Sequence, residues 1–403
     1  MSSLKLLMPA LCNKLYFNYG GQSPLPKPSL DAIIRSWEKI QELGPFTNDV
    51  WPYIANEIQQ TKQCLADITG VPKQQIALTE NVTSGCILPL WGLTFSKGDN
   101  LLISDCEHPG VVSACKELAY RKGLTVDILP VQHLRNGANK KRETKKSLLE
   151  LLERKLTPRT KLVVLSHILW NTGQTMPIKE VAQRIKHHPS KPFLLVDAAQ
   201  SFGQIPIKEA AKAADIYAFT GHKWACGPEG LGGVALSERI LLETRPTIIG
   251  WKSIKEEGSI YNHTENPFHL DSRKFEIATS CVPLLAGLRS SLNLLEKDGN
   301  ENERHKKIQE KSAFLWEHLN DELHIKPVLK GPPENGLISF SLPNTISPKE
   351  IVRSLGKKGI WIRVLEDPEW LRACLHVTTE KVEMSKLIEA IRGFNIKNIG
   401  NLK

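Results

Sequence analysis

One stretch of the chain decides how the rest is interpreted: Ala214-Asp-Ile-Tyr-Ala-Phe-Thr-Gly-His-Lys-Trp-Ala-Cys-Gly-Pro-Glu-Gly-Leu-Gly-Gly-Val234. It predicts a short apolar strand, a turn that carries Lys223, a Gly- and Pro-rich loop and a second strand. A lysine beside a buried strand end is poorly solvated, and desolvation favours its neutral amine. Such an amine is suited to a Schiff base with a carbonyl compound. A surface lysine in a turn is the alternative for this motif taken alone.

A second candidate strand lies upstream, in Lys191-Pro-Phe-Leu-Leu-Val-Asp-Ala-Ala-Gln-Ser201. Its continuous apolar run is typical of a strand covered on both faces, and it ends in Asp197. Open α/β sheets bind ligands at the carboxyl ends of their strands. Pyridoxal phosphate (PLP) needs an anionic partner for its ring nitrogen, because the protonated ring stabilises a carbanion. Asp197 alone is equally compatible with a helix cap, but together with Lys223 it predicts a PLP site.

The two motifs together resemble a known family. The segments V-D-A-A-Q-S and T-G-H-K-W-x-x-G-P-x-G-x-G-G are similar to those of the class V aminotransferases, which are fold type I PLP enzymes. The resemblance extends over nearly the whole chain. It implies an α/β fold with a mostly parallel central sheet, helices on both faces and a small α+β domain. Among the members, which include cysteine desulfurases and isopenicillin N epimerase-like proteins, the L-cysteine/cystine C–S lyases are the most similar.

We expect the chain to have three parts. Residues 1–28 form an N-terminal arm, residues 29–283 the large PLP-binding domain, and residues 284–403 the small C-terminal α+β domain. Prolines exclude a continuous helix in the arm, and Gly20 and Gly21 predict a tight turn that lets the backbone approach a ligand. In the family the matching arm borders the substrate pocket, so both glycines are candidate substrate contacts. An ordinary turn is the alternative.

Composition limits the possible partners. The 403-residue chain has a net charge of +10, part of it in the basic segments 140–146 and 184–191, and we expect residues 131–146 to form an exposed excursion. Without a nucleic-acid-binding motif, this charge favours anionic substrates or an acidic partner over nucleic acid. The eight cysteines form no C-x-x-C pair, which argues against zinc and disulfides and favours a cytoplasmic protein. No apolar run is long enough to span a membrane.

A phosphate site is predicted in the segment Ile76–Ile87, where a strand gives way to residues 81–85 and then to a helix rich in apolar residues. Free N–H groups and the helix dipole at a helix start suit a phosphate, and small hydroxyl residues are common there. The resemblance implies that Thr83 and the backbone of Val82 bind the PLP phosphate. Helix capping explains a lone hydroxyl residue as well. The family has a glycine and two threonines at residues 81–83, so one hydroxyl contact is missing here.

The resemblance assigns five further cofactor contacts. His108 matches the histidine of the family's E-H motif, which stacks on the PLP ring, and its imidazole can pass protons near the reacting carbon. Gln200 contacts the phenolate oxygen of the ring, while Thr220 and His222 contact the phosphate. Thr279 matches a threonine that reaches the phosphate of the partner subunit, which implies a homodimer. A simple helix cap is the alternative for Thr279.

Two arginines predict where the substrate binds. Arg372 matches the family arginine that clamps the α-carboxylate of the amino acid, and a guanidinium suits that contact. Arg363 is a candidate for a second carboxylate, which cystine has, or for a surface ion pair with a neighbouring acidic residue. Trp170 stands where cysteine desulfurases have an asparagine, and Asn171 is displaced from that place by one position. We therefore retain Asn171 as a candidate substrate contact.

The segment between the two arginines separates the possible activities. Cysteine desulfurases carry a nucleophilic cysteine on a loop here, whereas residues 364–371 contain none, and Cys374 lies in an apolar strand that predicts a buried thiol. We therefore predict a PLP-dependent C–S lyase that acts on cystine and cysteine, releases pyruvate and supplies sulfur, for example to an iron–sulfur acceptor protein. The alternatives are a desulfurase that uses another cysteine, an epimerase, and a non-catalytic partner protein in sulfur delivery.

Overall fold

A computed structural model describes residues 3–255, 266–342 and 347–394. The two ends of the chain, which belong to the predicted arm and the predicted small domain, lie outside the described residues. The strands are, in chain order, β1 (Leu15–Tyr16), β2 (Ile76–Thr79), β3 (Asn100–Ser104), β4 (Thr125–Leu129), β5 (Thr160–Val164), β6 (Phe193–Asp197), β7 (Ile216–Thr220), β8 (Gly232–Leu236), β9 (Lys326–Pro327), β10 (Leu337–Ser341), β11 (Ile360–Trp361), β12 (Arg363–Glu366) and β13 (Glu369–Cys374). The helices are α1 (Ser3–Leu6), α2 (Lys27–Leu43), α3 (Val50–Thr69), α4 (Val82–Trp91), α5 (Pro109–Lys122), α6 (Lys141–Lys155), α7 (Ile178–Lys186), α8 (Lys208–Ala213), α9 (Glu238–Glu243), α10 (Pro283–Lys297), α11 (Glu301–Asn320), α12 (Pro348–Lys357) and α13 (Lys381–Arg392).

The central sheet has the strand order β2-β8-β7-β6-β5-β3-β4. Its strands from β4 to β7 are parallel, and β8 runs antiparallel to both of its neighbours. Successive side chains of a strand point to opposite faces of the sheet. In β6, Leu194 and Val196 belong to one buried core and Leu195 to another. Both faces are therefore covered, which explains why this strand reads as an unbroken apolar run.

Parallel pairing brings the strand ends that carry chemistry to one edge. The segments that follow β3, β5, β6 and β7 all leave the sheet at its carboxyl edge. β2 also ends there, because Thr79 faces Gly232, and Gly232 faces Thr220 across the next pair of strands. The sheet thus places residues more than a hundred positions apart in the chain around one site.

A second sheet, antiparallel with the order β12-β13-β10-β9, lies near the C-terminus. The N-terminal arm attaches to this region, since β1 pairs with β11 and the amide of Cys374 donates a 2.7 Å hydrogen bond to the carbonyl oxygen of Phe17. Helix α10 packs along α2 and α3. The division into residues 1–28, 29–283 and 284–403 stays a prediction.

The prediction for residues 131–146 was wrong in part. Val131 and Leu134 are buried, and α6 begins at Lys141 and buries Leu148 and Leu152 in the main core. The cluster of basic residues in the first turns hid the apolar period of this helix, because its buried positions begin only with Thr144. Separately, none of the described helices combines the length and apolar content that a membrane crossing requires.

Candidate active site

A cavity of about 740 Å³ lies at the carboxyl edge of the central sheet, between the N-terminal arm and the β12–β13 hairpin. Its lining includes both glycines of the arm, Gly20 and Gly21, as well as Asn171. The other predicted residues that line it are Lys223, His108, Gln200, Arg363 and Arg372. The tertiary fold therefore brings together the candidate lysine, the candidate imidazole and both candidate arginines.

Lys223 lies in the turn that follows β7. Burial lowers the pKa of its amine from 10.5 to about 8, against the opposing effect of Asp197, and two arginines lower it further. Within the described residues no ion pair or hydrogen bond holds its side chain. The neutral, nucleophilic form of Lys223 is thus accessible near neutral pH.

Asp197 is the last residue of β6 and is 5% exposed. Burial raises the pKa of its carboxyl, while a hydrogen bond from the amide of Ala199 (2.8 Å) and the charges of Lys223 and His108 lower it. Asp197 and Lys223 therefore interact electrostatically, and the structure shows no ion-pair contact between them. A buried carboxylate in this position suits a cationic ring nitrogen placed next to it.

His108 caps the start of α5. Its Nδ1 accepts a hydrogen bond from the amide of Gly110 (3.2 Å), and its ring meets the indole of Trp170 edge-on at 6.2 Å between centroids. Burial lowers the pKa of His108, Asp197 raises it and Lys223 lowers it. The imidazole is therefore neutral at neutral pH, with the tautomer fixed by the amide so that Nε2 carries the proton.

Gln200 connects the arm to the central sheet. Its Nε2 donates to the carbonyl oxygen of Gly20 (2.9 Å), and its Oε1 accepts from the indole N–H of Trp224 (2.9 Å). A Cβ at Gly20 would lie only 2.8 Å from Cys374 Sγ and 2.9 Å from Gln200 Oε1. The arm approaches this closely only because the residue is a glycine.

The start of α4 has the features of an anion site. Asn81 caps the helix, because its side-chain oxygen accepts a hydrogen bond from the amide of Ser84 at 3.0 Å. The amides of Val82 and Thr83 belong to the first turn, where N–H groups have no partner within the helix. A Cβ on Gly110 would lie 3.9 Å from Thr83 Cγ2 and 3.4 Å from His108 Nδ1, which places Thr83 beside His108. These donors suit a phosphate.

Thr220 and His222 form a bonded pair at the end of β7, with 2.8 Å between Thr220 Oγ1 and His222 Nδ1. The carbonyl oxygen of His222 accepts the amide of Ser23 (2.8 Å), which ties the arm to this turn. Burial lowers the pKa of His222 and Lys223 lowers it further. The pair precedes Lys223 directly, so one turn carries both predicted phosphate ligands and the lysine.

Arg372 and Arg363 face each other across the β12–β13 ladder. Arg372 is 1% exposed, and its Nη1 donates to the carbonyl oxygen of Trp170 (2.8 Å). Its Nε and Nη2 are buried without an oxygen or nitrogen acceptor, and the thiol of Cys374, a weak acceptor, interacts with the guanidinium. Arg363 is exposed, and within the described residues it forms no ion pair with Glu366 or Asp367. Unpaired donors on a buried guanidinium favour an anionic ligand such as a carboxylate.

Asn171 is buried beside the cavity but is largely engaged by the protein. Its Oδ1 accepts the amide of Thr172 (2.8 Å), and its Nδ2 lies 3.5 Å from Cys106 Sγ. Thr279 lies outside the cavity, on an exposed segment that borders a different groove. Neither predicted role, as a substrate contact or as a ligand of the partner's phosphate, is tested by this geometry.

Sequence reasoning missed two groups of supporting residues. Glu107 is buried, accepts the amide and hydroxyl of Ser166 (2.8 and 2.7 Å) and a hydroxyl from Ser104, and burial raises its pKa to about 7. Trp224, which holds Gln200, stacks on Tyr19. Glu107 and Trp224 lie in the E-H and H-K-W motifs, but Ser166 and Tyr19, which contact them, are distant in sequence and carry no local signal.

The site fits PLP. The lysine, the buried carboxylate and the start of α4 supply the amine, the anion for the ring nitrogen and the donors for the phosphate that this cofactor needs. Gly232 makes this arrangement possible, because a Cβ there would lie 2.5 Å from the carbonyl oxygen of Phe219 and 3.2 Å from Asn81. Because residue 232 has no Cβ, α4 can begin directly over the sheet.

An open α/β sheet that brings a desolvated lysine and a buried carboxylate to one edge beside a cavity defines a class of proteins, the PLP-dependent enzymes of fold type I. The chain belongs to the aminotransferase class-V family, whose model matches residues 15–388.

Two solved structures and one curated relative illustrate its place in that family. A mutant of C-DES with glycine covalently linked to the PLP cofactor is 36% identical, covers 97% of this chain and 99% of its own, and superposes with a TM-score of 0.90. The complex of the cystine C–S lyase C-DES with its reaction product cysteine persulfide is 37% identical, with coverages of 95% and 98% and a TM-score of 0.88. A probable cysteine desulfurase of Pyrococcus abyssi is 24% identical over 87% of this chain and 83% of its own.

These comparisons confirm four predictions made from the sequence. The family is the class V aminotransferases, and the fold is that of fold type I PLP enzymes. The cofactor is PLP, and the enzyme class is that of PLP-dependent carbon–sulfur lyases.

Proposed function

We propose that this chain is a cystine and cysteine C–S lyase that releases pyruvate and ammonia and, from cystine, cysteine persulfide. The proposal rests on the residues of the β12–β13 hairpin. The hairpin brings two arginines to the cavity, one with unpaired buried donors, and it contains no cysteine between them that could take up sulfur. Cystine has two carboxylates, and its elimination needs no sulfur acceptor on the enzyme.

The arginines orient the substrate in this proposal. Arg372 binds the α-carboxylate through its free Nε and Nη2, while its Nη1 is fixed by the carbonyl oxygen of Trp170. Arg363, in register with Arg372, binds the second carboxylate of cystine. A guanidinium fork holds each carboxylate in a fixed direction, which positions the Cα–H bond of the substrate.

Three side chains manage the protons and charge. When bound, PLP acts as an electron sink for a carbanion at the substrate's Cα. The amine of Lys223, whose pKa is about 8, takes the proton from Cα. Asp197 keeps the ring nitrogen of the bound cofactor protonated. The proton on Nε2 of His108 passes to the sulfur that leaves Cβ. Gln200, Val82, Thr83, Thr220 and His222 hold the cofactor.

The balance of the reaction follows from these steps. The Cβ–S bond of cystine breaks, the sulfur keeps the electron pair and gains a proton, and the product is cysteine persulfide. Water then releases the remaining three-carbon fragment as pyruvate and ammonia. No external oxidant or reductant is required.

We further propose a homodimer in the cytoplasm. An apolar groove of about 680 Å³ is lined by Trp37, Phe46, Trp51 and Trp251 and is bordered by Thr279. Exposed apolar surface of this kind is typical of an interface. A second copy seated there brings Thr279 close to the partner's site. The persulfide sulfur then passes to an iron–sulfur acceptor protein.

The test is pyruvate release from cystine by the purified PLP-loaded protein. We expect wild-type protein to release pyruvate and a Lys223→Ala variant to release none. Alanine as the product would instead identify a desulfurase, racemised substrate an epimerase, and no turnover of any of these substrates a non-catalytic partner protein. Pyruvate release that survives Lys223→Ala contradicts the mechanism.

A further inference from the structure

Trp170 occupies a central place that the mechanism above leaves unused. It follows β5 and lines the cavity together with Lys223, His108 and Arg372. Its ring meets the imidazole of His108 edge-on, and its carbonyl oxygen accepts Arg372 Nη1 at 2.8 Å. The residue therefore touches both the imidazole and the arginine that are proposed to act on the substrate.

The indole N–H of Trp170 has no partner. Its Nε1 is buried, and within the described residues no acceptor reaches it. Nε and Nη2 of Arg372, in the same cavity lining, likewise have no oxygen or nitrogen acceptor, and only the weakly accepting thiol of Cys374 among the described residues forms a side-chain contact with this guanidinium. Buried donors are nearly always satisfied in folded proteins, and leaving one unpaired costs free energy. Three unpaired donors beside one cavity therefore indicate a ligand that supplies acceptors.

A carboxylate meets this demand. Its two oxygens offer about four acceptor sites, more than one face of a guanidinium fills. Arg372 Nη1 is already committed to Trp170, so the arginine brings Nε and Nη2 to a ligand. A further donor from a neutral ring adds a directed bond without adding another charge to a cavity that already contains two arginines and Lys223.

We propose that the indole N–H of Trp170 donates to the same substrate carboxylate that Arg372 binds, and so favours amino acids over amines without a carboxylate. This rests on the proposed function in one respect, namely that Arg372 binds the substrate's carboxylate.

Two small amines separate this contact from general packing. Glycine carries a carboxylate and methylamine does not, and binding of either to the PLP-loaded enzyme can be followed by the absorbance of the cofactor. The Trp170→Phe variant keeps an aromatic ring beside His108 and the backbone carbonyl for Arg372, but it lacks the N–H. We expect its affinity for glycine to fall about ten-fold, the size of one hydrogen bond to a charged group, and its affinity for methylamine to stay unchanged.

Trp91→Phe is the matched control. Trp91 also has a buried, unpaired Nε1, but its ring lies under Arg121 and it does not line this cavity. We expect this variant to bind glycine as the wild type does. An unchanged glycine affinity in Trp170→Phe, an equal loss for methylamine, or an equal loss in Trp91→Phe overturns the proposal.

Pyruvate release from cystine, measured on the same preparations, keeps the two proposals apart. An enzyme that binds glycine in a Trp170-dependent manner but releases no pyruvate retains this contact and contradicts the lyase reaction. Conversely, an enzyme that releases pyruvate and binds glycine equally well in Trp170→Phe retains the reaction and overturns the contact.

Discussion

At the scale of the residue, the surroundings of Lys223 decide its chemistry. The side chain is removed from solvent while its nearest carboxylate, Asp197, is not in ion-pair contact with it, so burial outweighs attraction and the pKa falls to about 8. The same two groups attract each other and thereby limit both shifts, since Lys223 lowers the pKa of Asp197. The lowered pKa of Lys223 therefore arises because Asp197 compensates the buried ammonium charge only in part.

This incomplete compensation predicts how stability depends on pH. Because the folded pKa of Lys223 is lowered, the unfolded chain binds more protons between pH 8 and 10.5, and stability rises across that window. Relative to a Lys223→Met variant, cofactor-free wild-type protein should gain about 2 to 3 kcal/mol of unfolding free energy between about pH 7 and about pH 10. Urea unfolding of both proteins measures the difference, and a difference independent of pH contradicts the lowered pKa.

The two arginines should divide the substrate between them. Arg372→Ala removes the α-carboxylate contact, so KM should rise about ten-fold or more for both cystine and cysteine. Arg363→Ala should raise KM for cystine by a similar factor and leave that for cysteine nearly unchanged, because only cystine has a second carboxylate. Steady-state pyruvate assays with both substrates test this. An equal rise in KM for the two substrates in Arg363→Ala would show that Arg363 does not bind the second carboxylate.

At the scale of the element, the predicted phosphate site depends on how closely α4 lies over the sheet. The helix begins at Val82, immediately above Gly232 of β8, and the atoms that a side chain at Gly232 would meet belong to the backbone. Backbone atoms in a paired strand and at a helix start cannot move aside as the end of a flexible side chain can. The N–H groups at the start of α4 can therefore lie where they do only because residue 232 of the neighbouring strand has no Cβ.

Adding a Cβ at residue 232 should weaken cofactor binding. In Gly232→Ala the new Cβ meets the carbonyl oxygen of Phe219 in β7 at 2.5 Å and the backbone of Asn81 at 3.2 Å, so both β7 and the start of α4 must shift. We expect this to destabilise the protein by about 1 to 3 kcal/mol. The shifted N–H groups no longer converge on the phosphate, so the affinity for PLP should also fall. Gly356→Ala in α12 is the control, because its Cβ would meet only Trp361 at 3.7 Å. Fluorescence titration with PLP compares the variants, and equal affinities would contradict this account.

At the scale of the whole molecule, one apolar face has no partner within the described chain. Trp37, Phe46 and Trp51 are 48%, 86% and 45% exposed and belong to α2, α3 and their connection. Exposed aromatic groups this close together are costly in water and are typical of subunit interfaces. Thr279 borders the same groove, so the proposed dimer would link subunit association to the completeness of the site.

A charge placed on this face should separate the subunits. Trp51→Glu buries a carboxylate in the proposed interface, which is unfavourable without a partner, so sedimentation should show monomers where the wild type shows dimers. Pyruvate release should fall with the dimer, since Thr279 would no longer reach the second site. Leu323→Glu, at a fully exposed leucine outside the groove, should leave the dimer intact. A monomeric wild type, or a dimeric Trp51→Glu, contradicts the proposed interface.

Much of the fold was predictable because its signals are local. The buried strand before Asp197 and the helices α3 and α5 follow from apolar runs, periodicity and turn residues. The amphipathic helix α6 was not predicted, because its first turns are dominated by basic residues and its buried face is set by the core beneath it. Local pattern therefore fails where packing alone decides.

The sequence by itself determined the chemistry that the chain can perform: a lysine and a carboxylate at consecutive strand ends, in motifs whose residue types suit one cofactor. Only the tertiary structure decided the state of these groups, because a pKa, an unpaired donor and a close approach depend on neighbours that are distant in the chain. Arg372 illustrates the difference, since its sequence position suggests a role but the carbonyl oxygen of Trp170, 202 positions away, determines which of its donors remain free. Solvation and contact geometry are properties of the folded molecule, and no local stretch encodes them.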